Sequence, residues 1–240
     1  MQRKTIHGVC PYDGYQRGAF LKYGRLGDDV KRDPAYREAI AASRLEDVRS
    51  IVDEARCMNL FVLIKFFLRD LSSRNVIEFG AYKGGNSVFM ASLLRRFYPE
   101  ARVVALDTFK GAPESNPALE KLPQDFRSAD LERTRRVAES LGLQNLEFVQ
   151  GFVEETALGV CRRLGSIGLA HIDLVLHESS LFAQRVVWDF MAAGGYIVQD
   201  DALEPTCPGA GLAMQQWIHE RGPCIEQIWP HIVFRSAVEG

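Results

Sequence analysis

Acidic residues end or follow four apolar segments of this 240-residue sequence, and their side chains are the ones whose spacing suggests chemistry. They are Glu78, Asp107, Asp173 and the adjacent pair Asp200 and Asp201. Taken singly, each acid could cap a helix or close a turn. A buried carboxylate is costly unless something pairs with it, and ligands of parallel sheets bind beyond the carboxyl ends of the strands. Together these acids predict a ligand site at one edge of a sheet.

A glycine-rich segment, EFGAYKGGNS at residues 78–87, links the first apolar segment to a helical one. Gly80 permits a tight turn, whereas Gly84 and Gly85 let the backbone approach a ligand. The N–H groups near Ser87, at the start of the predicted helix, can hold an anion or a carboxylate. The spacing G-x-x-x-G-G differs from the G-x-G-x-x-G of dinucleotide-binding proteins, which weakens a dinucleotide interpretation.

Asp107 supplies the second half of a cofactor pattern. It ends the next apolar segment, RVVALD at residues 102–107. An acidic side chain at the end of such a strand can accept hydrogen bonds from both hydroxyls of a ribose. A glycine loop followed by this acid predicts a cofactor that contains adenosine, and the pattern leaves NAD and S-adenosylmethionine as alternatives.

The segments that must position these residues alternate between strand and helix patterns. The predicted strands cover residues 75–80, 102–107, 146–151, 169–173 and 195–200. The predicted helices between and after them cover residues 86–97, 131–141, 154–164, 180–192 and 210–221. Short apolar strands with little internal alternation indicate a parallel sheet that is covered on both faces. The predicted fold is therefore α/β, with a Rossmann-like, doubly wound and mostly parallel sheet.

The C-terminal part and one long loop complete this prediction. Residues 226–230 and 231–235 predict two edge strands, because Pro230 between them fits a turn better than a central strand. The longest irregular stretch covers residues 108–128, a length that is typical of functional or disordered loops.

The region before the first strand has a helical pattern. We expect helices at residues 35–43 and 45–71, because apolar residues recur in the second segment at spacings of three and four. Residues 1–34 show no clear period and are expected to form an extended lead-in.

The length of the chain fits one domain with one sizeable core. We expect a single domain over residues 1–240, with an N-terminal extension or lid at residues 1–44 and the Rossmann-like core at residues 45–240.

Composition and charge indicate an ordinary globular protein whose partner is a small molecule, with no nucleic-acid or membrane partner. Hydrophobic residues make up 47% and charged residues 25% of the chain, and a formal net charge of -2 leaves no basic surface for nucleic acid or anionic lipid. Five widely spaced cysteines without a C-x-x-C pair argue against a disulfide framework and a zinc site. The N-terminus lacks the apolar core of a signal peptide, and we expect a cytoplasmic protein.

Five sequence runs, taken in order, resemble the class I S-adenosylmethionine-dependent methyltransferases, and most closely the macrocin O-methyltransferase-like family. The runs are VIEFGAYKGGNS, ALDTFKGAPE, FVQGFVEET, LAHID and GGYIVQDDA, and the similarity covers about residues 45–235. The resemblance implies an O-methyltransferase that acts on a hydroxyl of a small acceptor, such as the sugar moiety of a natural product or a related metabolite. It also implies a homo-oligomer.

The resemblance further implies roles for particular residues. The methionine part of S-adenosylmethionine would lie near Glu78, Gly80, Gly84 and Ser87, its ribose on Asp107, and its adenine near Gly151 and Phe152. The acids after the fourth and fifth strands, Asp173, Asp200 and Asp201, would surround Mg²⁺. Carboxylate oxygens suit this hard ion, which could lower the pKa of a bound substrate hydroxyl and orient its oxygen toward the methyl carbon.

The sequence departs from the family pattern directly after Asp173. Relatives usually read H-I-D-x-D-x-Y-x-S, whereas this chain reads HIDLVLHES, with Val175 and His177 in place of the second acid and the aromatic residue. If the first acid of this motif is the metal ligand, Asp173 preserves the metal site and Val175 merely changes the wall of the site. If catalysis needs the second acid, the protein is impaired or uses another base, and His177 and Glu178 are candidates for that role.

Two functions of other classes stay open at this stage. An NAD-dependent oxidoreductase would share the fold and the ribose acid but would give Asp200 and Asp201 no role. A protein that binds the cofactor without turnover would explain Val175 and would transfer no methyl group to any acceptor.

Overall fold

A seven-stranded sheet forms the centre of the computed structural model, which describes residues 25–112 and 126–237. The strands are β1 (Val76–Phe79), β2 (Val103–Asp107), β3 (Leu146–Gln150), β4 (Ile167–Ile172), β5 (Met191–Gln199), β6 (Cys224–Gln227) and β7 (Ile232–Arg235). They lie in the order β3-β2-β1-β4-β5-β7-β6. The first five strands are parallel, and β7 runs antiparallel to both of its neighbours. The predicted mostly parallel sheet is confirmed.

Helices cover both faces of the sheet. Within the described residues they are α1 (Arg25–Arg32), α2 (Pro34–Ser43), α3 (Glu54–Val62), α4 (Gly85–Phe97), α5 (Leu131–Ser140), α6 (Val153–Leu164), α7 (His177–Trp188) and α8 (Pro208–Arg221). One apolar cluster packs α1 to α5 against one face, and a second packs α6 to α8 against the other. This arrangement explains why β1 and β4 are buried along their whole length and have no polar alternation.

The register of the central strands brings the predicted acids to one place. Phe79 of β1 pairs with Ile172 of β4, and Ile172 pairs with Gln199 of β5. The next residues along β4 and β5, Asp173 and Asp200, therefore leave the sheet side by side. They do so beside β1, where the strand order changes direction, which is the usual ligand site of a doubly wound sheet.

The predicted helix at residues 45–71 is confirmed only for Glu54–Val62 and the helical segment that continues it, because the chain leaves the helical conformation at residues 49–53. Asp53 caps the start of α3, and its Oδ1 accepts a hydrogen bond from the N–H of Arg56 at 2.9 Å. Ile51, which the helical pattern placed on an apolar stripe, is 59% exposed. A short 3-10 turn at Glu46–Val48 precedes this loop, and a wider π-helical segment, Leu63–Phe67, continues α3.

The predicted lead-in at residues 1–34 is also wrong where the structure describes it, because residues 25–32 form α1. Residues 1–24 lie outside the described residues. The described part of the predicted extension belongs to the packed core, since Tyr36 and Ala39 of α2 are buried against neighbours that include Phe89 of α4. Whether any part of residues 1–44 forms a lid stays a prediction.

The two predicted C-terminal strands are confirmed as β6 and β7, with Pro230 in the connection between them. Of the two, β6 lies at the edge of the sheet, whereas β7 lies between β5 and β6, so its predicted edge position is wrong. Of the predicted loop at residues 108–128, residues 113–125 lie outside the described part of the chain. Among the described helices, none combines the length and the apolar character that crossing a bilayer requires.

Candidate active site

A cavity of about 330 Å³ opens at the carboxyl ends of the parallel strands. All five predicted acids line it: Glu78, Asp107, Asp173, Asp200 and Asp201. The cavity also receives the loop at residues 49–53, the N-terminal end of α6 and the segment that precedes α7. The sequence prediction that these acids share one edge of the sheet is therefore confirmed by their positions.

The glycine after β1 allows the ends of β1 and β4 to approach each other. Gly80 has a φ of +92°, and a Cβ atom at this position would overlap the backbone oxygen of Asp173. Only glycine combines this φ with such a close approach at no steric cost. Gly80 therefore shapes the cavity by placing Asp173 directly across from the turn.

The two later glycines of the segment approach other parts of the protein. A Cβ atom at Gly84 would crowd the side chains of Thr134 and Phe148. A Cβ atom at Gly85 would overlap backbone atoms of Val48 and Ser50. Their close contacts thus anchor the start of α4 against α5, β3 and the segment before α3, whereas the sequence interpretation assigned these close contacts to a ligand.

Asp107 is held by two backbone N–H groups, one for each carboxylate oxygen. The N–H of Tyr82 donates to Oδ2 at 2.8 Å, and the N–H of Phe109 donates to Oδ1 at 2.7 Å. Both donors have left-handed backbone conformations, with φ values of 51° and 52°. Burial raises the pKa of Asp107, and these two hydrogen bonds oppose the rise. Each oxygen keeps a lone pair that a ligand hydroxyl can use.

Glu78 is fully buried and bound to three side chains. Its Oε1 accepts a hydrogen bond from Asn86 Nδ2 at 2.6 Å and lies 3.1 Å from His171 Nδ1, and its Oε2 accepts from the hydroxyl of Ser87. The carboxylate thus ties the start of α4 to β1 and β4. Two of the predicted cofactor residues, Ser87 and Gly84, do not line the cavity. Ser87 contributes through its hydrogen bond to Glu78, which does line it.

Asp200 is buried among three cationic or hydrogen-donating side chains. Its Oδ1 lies 2.8 Å from His231 Nε2 and 3.3 Å from His171 Nε2, and its Oδ2 accepts a hydrogen bond from Arg56 Nη1 at 2.7 Å. Burial alone would raise the pKa of Asp200, but the hydrogen bonds from His171 and His231, together with the charge of His171, lower it far below the ordinary value. Asp200 is therefore ionised.

The two histidines that contact Asp200 differ in charge. Burial opposes protonation of His171, but hydrogen bonds to Asp200 and Glu78 outweigh it and raise the pKa of His171 to about 10. Burial lowers the pKa of His231 despite its contact with Asp200. Neutral His231 donates a hydrogen bond from Nε2 to Asp200 Oδ1. Its Nδ1 accepts a hydrogen bond from Asn59 Nδ2 at 3.1 Å.

Asp173 and Asp201 have fewer compensating donors than Asp200. One oxygen atom from each of Asp173, Asp200 and Asp201 lies within 4.8 Å of the other two. Burial, followed by the charges of Asp200 and Asp201, raises the pKa of Asp173 well above the ordinary value. Burial, followed by the charge of Asp200, raises the pKa of Asp201 to about 6. Crowded carboxylates of this kind are a donor set that a hard divalent cation fits.

Of the remaining predicted site residues, some line the cavity and His177 does not. Gly151 and Phe152 line the cavity, and Phe152 is 45% exposed. Val175 also lines it, whereas His177 does not, and His177 Nδ1 lies 3.1 Å from Glu178 Oε1 at the start of α7. Asp173 is thus at the cavity, and the structure does not bring His177 to the same place.

Sequence reasoning missed the partners of Asp200. Arg56 lies in α3, and His171 is a fully buried, hydrogen-bonded residue of β4. No sequence pattern pointed to His231, which follows Pro230 at the start of a predicted edge strand. The signal for Arg56 was a charged residue within an apolar helical pattern, which indicates a buried partner.

Three comparisons place the chain among known proteins. The family described as macrocin O-methyltransferase (TylF) matches residues 22–223. A curated relative from Streptomyces olivaceus, 8-demethyl-8-(2,3-dimethoxy-alpha-L-rhamnosyl)-tetracenomycin-C 4'-O-methyltransferase, is 27% identical over 172 residues. That match covers 67% of this chain and 65% of the relative, so it spans less than two thirds of the relative's length.

Two solved structures resemble the whole fold. The calicheamicin methyltransferase CalS11 has a TM-score of 0.63 at 20% identity, with 88% of this chain and 90% of that chain covered. The O-methyltransferase NovP has a TM-score of 0.64 at 17% identity, with 88% and 95% covered. At these identities the likeness concerns the fold.

Proposed function

Because the chain belongs to the macrocin O-methyltransferase family, we propose that it transfers the methyl group of S-adenosylmethionine to a hydroxyl of a small-molecule acceptor. The family membership confirms the resemblance of the five sequence runs, and it favours S-adenosylmethionine over NAD. The observation that carries the proposal is one cavity that joins the clamped carboxylate of Asp107 to the crowded acids Asp173 and Asp201.

We propose that the acceptor hydroxyl belongs to a sugar moiety of a natural product or a related metabolite. The relative from Streptomyces olivaceus is an O-methyltransferase whose name contains a rhamnosyl group, which supports this substrate class. The single catalytic domain, the homo-oligomer and the cytoplasmic location remain expectations from the sequence.

We propose that the cofactor lies along the cavity, with its ribose at Asp107 and its two other parts on either side of that residue. The free lone pairs of Asp107 would accept hydrogen bonds from the two ribose hydroxyls, and the exposed ring of Phe152, with Gly151, would contact the adenine. The turn at Gly80 would receive the methionine part. Glu78, Ser87 and Gly84 would support this part of the site by fixing the turn and the start of α4.

Mg²⁺ is proposed to bind at Asp173 and Asp201, with Asp200 as the third acid. The donor set fits, because one oxygen atom from each of the three acids lies within 4.8 Å of the other two, and hard divalent cations prefer carboxylate oxygens. When bound, the ion would act as a Lewis acid on the acceptor hydroxyl.

The chain's own residues would orient the acceptor and take its proton. We propose that a carboxylate oxygen of Asp173 accepts the hydroxyl proton as the acceptor oxygen bonds to the methyl carbon and the bond from methyl to sulfur breaks. Asp173 is proposed for this role because it lines the cavity at the point where the acceptor hydroxyl would lie beside the acid cluster. Val175 would exclude water at this wall, and His177 stays a second candidate for the base, although it lies off the wall.

The test is calorimetric titration of the protein with S-adenosylhomocysteine, first with Mg²⁺ and then with EDTA, with NAD as the control ligand. We expect binding of S-adenosylhomocysteine, no binding of NAD, and a separate Mg²⁺ heat that disappears in Asp173→Asn. Binding of NAD alone would overturn the proposal.

A methylation assay with S-adenosylmethionine, run beside the titration, separates the two remaining possibilities. If S-adenosylhomocysteine binds and methylated product appears with a glycosylated acceptor, the protein is an active methyltransferase. If it binds and no acceptor is methylated, the loss of the second acid at Val175 has left a cofactor-binding protein. Replacement of His177 by Phe should leave turnover between pH 6 and 9 unchanged if Asp173 is the base.

A further inference from the structure

Arg56 places a guanidinium among the acids at the β5 end of the cavity. Its side chain is 11% exposed and lines the cavity. Nη1 donates to Asp200 Oδ2 at 2.7 Å, Nη2 pairs with Glu204, and Nε lies 3.4 Å from Asp53 Oδ2. One positive charge thus bridges three carboxylates, and Asp200 is the most deeply buried of them.

The arrangement leaves Asp200 little room for a metal ion. A carboxylate offers about four lone-pair positions, and Asp200 already fills two on Oδ1 with histidine contacts and one on Oδ2 with Arg56. A cation that used the remaining position on Oδ2 would lie beside the guanidinium. Two positive groups on one oxygen repel each other, and the repulsion is strong where little water screens it.

We propose that Arg56 is a built-in competitor of the divalent cation at Asp200. The guanidinium neutralises Asp200 in the metal-free protein and leaves Oδ2 when the cation binds. Glu204 and Asp53, whose side chains are 41% and 58% exposed, keep Arg56 paired after it leaves. Arg56 thereby lowers the metal affinity and stabilises the acids before the cation arrives. This inference rests on the proposed metal site.

The test is the affinity of the S-adenosylhomocysteine complex for Mn²⁺, measured by calorimetry and by the electron paramagnetic resonance of free Mn²⁺. Arg56→Met removes the competitor, and we expect the dissociation constant for Mn²⁺ to fall at least about tenfold. Arg49→Met is the matched control, because Arg49 lines the same cavity and carries the same charge. If Arg56 acts by competition at Asp200, the control changes the constant by less than about threefold.

A measurement on the unaltered protein covers the case in which Arg56→Met does not fold. Titration with Mg²⁺ should shift the Nε–H resonance of Arg56 in a ¹H–¹⁵N spectrum, in step with the heat of binding. Arg56→Lys identifies the resonance by its disappearance. A Mg²⁺ heat without any change at Arg56 would overturn the inference.

The other outcomes are also decisive. If Arg56→Met binds Mn²⁺ as weakly as, or more weakly than, the unaltered protein, then Arg56 orients Asp200 for the metal and does not compete with it. If neither protein binds Mn²⁺ while both bind S-adenosylhomocysteine, the inference fails together with the metal site, and the cofactor assignment stands. If neither ligand binds, the proposed function itself fails.

Discussion

Asp107 and Asp200 line the same cavity, yet the protein holds these two acids in different ways. Asp107 is bound by backbone N–H groups of Tyr82 and Phe109, which leave both carboxylate oxygens able to accept further hydrogen bonds. Asp200 is bound by the side chains of His171, His231 and Arg56. The pKa of Asp107 is raised by burial, whereas the partners of Asp200 overcome burial and lower its pKa.

The kind of donor decides whether an acid at this sheet edge is left for a ligand or is neutralised by the protein. Backbone donors carry no net charge, so the two N–H groups do not neutralise Asp107 with a positive charge before a ligand binds. Protonated His171 and Arg56 carry positive charge, so Asp200 is part of an internal ion network. We therefore expect substitution of Asp107 to affect ligand binding most and substitution of Asp200 to affect stability most.

The largest expected effect is the loss of stability in Asp200→Asn. The amide removes one of the two carboxylates that contact protonated His171 and the most deeply buried of the three that contact Arg56, and breaking a buried pair in this way costs about 3–5 kcal/mol. The free energy of unfolding, measured by urea denaturation at pH 7 with EDTA, should fall by this amount.

The matched control is Asp107→Asn, the same chemical change at the other acid. It leaves one backbone donor facing an amide N–H₂, and an unsatisfied donor costs about 1–3 kcal/mol. Equal losses of stability in the two variants would contradict the distinction between the two acids.

The next effect concerns the affinity for the cofactor, which substitution of Asp107 should lower more than substitution of Asp200. Asp107→Asn should weaken S-adenosylhomocysteine binding roughly 10- to 100-fold, because hydrogen bonds to a charged group contribute about 1.5–3 kcal/mol. The measurement is calorimetric titration of the variant, with the exposed substitution Glu139→Gln as the control. Unchanged affinity in Asp107→Asn would show that the ribose binds elsewhere.

A smaller effect is the pH dependence that Asp201 gives to the stability of the metal-free protein. Its folded pKa of about 6 lies above the ordinary value of 3.8, so its contribution is present below pH 3.8 and is lost as the pH rises through 6. Between pH 4 and pH 7 the loss is about 2 kcal/mol. Urea denaturation across this range should show the unaltered protein losing that much more stability than Asp201→Asn.

Two further results test whether the charge of Asp201 destabilises the metal-free protein. Mn²⁺ at pH 7 should remove most of the difference in stability between the unaltered protein and Asp201→Asn, because the cation replaces the proton. If both proteins instead show the same pH profile in EDTA, the charge of Asp201 is already compensated in the folded protein.

The sequence was sufficient for the sheet and for the acids of the candidate site, because both depend on local patterns. Buried strands need continuous apolar runs, and parallel strands place their carboxyl ends together, so Asp107, Asp173 and Asp200 could be located without a structure. The clamp on Asp107 is also local in part, since Phe109 lies two residues away.

The network around Asp200 could not be predicted, because its partners are distant in sequence. Arg56 lies 144 residues away, and His231 lies 31 residues away, directly before β7, whose antiparallel pairing the sequence did not specify. The break in the predicted helix at residues 49–53 has a similar origin. It depends on the packing of residues 48–50 against Gly85, a contact that helical periodicity does not encode.

The smallest expected effect tests whether the clamp on Asp107 depends on the backbone conformation of Tyr82. Glycine adopts the left-handed φ of 51° without strain, whereas a β-branched residue does not. Tyr82→Gly and Tyr82→Val both remove the ring and its contacts with Phe126 and Ser128, so the difference between them isolates the backbone. Valine should bind S-adenosylhomocysteine about fivefold more weakly than glycine, which corresponds to about 1 kcal/mol of strain. Equal affinities would mean that the N–H of residue 82 does not orient Asp107. The contrast between a backbone clamp and a side-chain network would then rest on the N–H of Phe109 alone, beside the longer contact of 3.5 Å from the Thr108 hydroxyl.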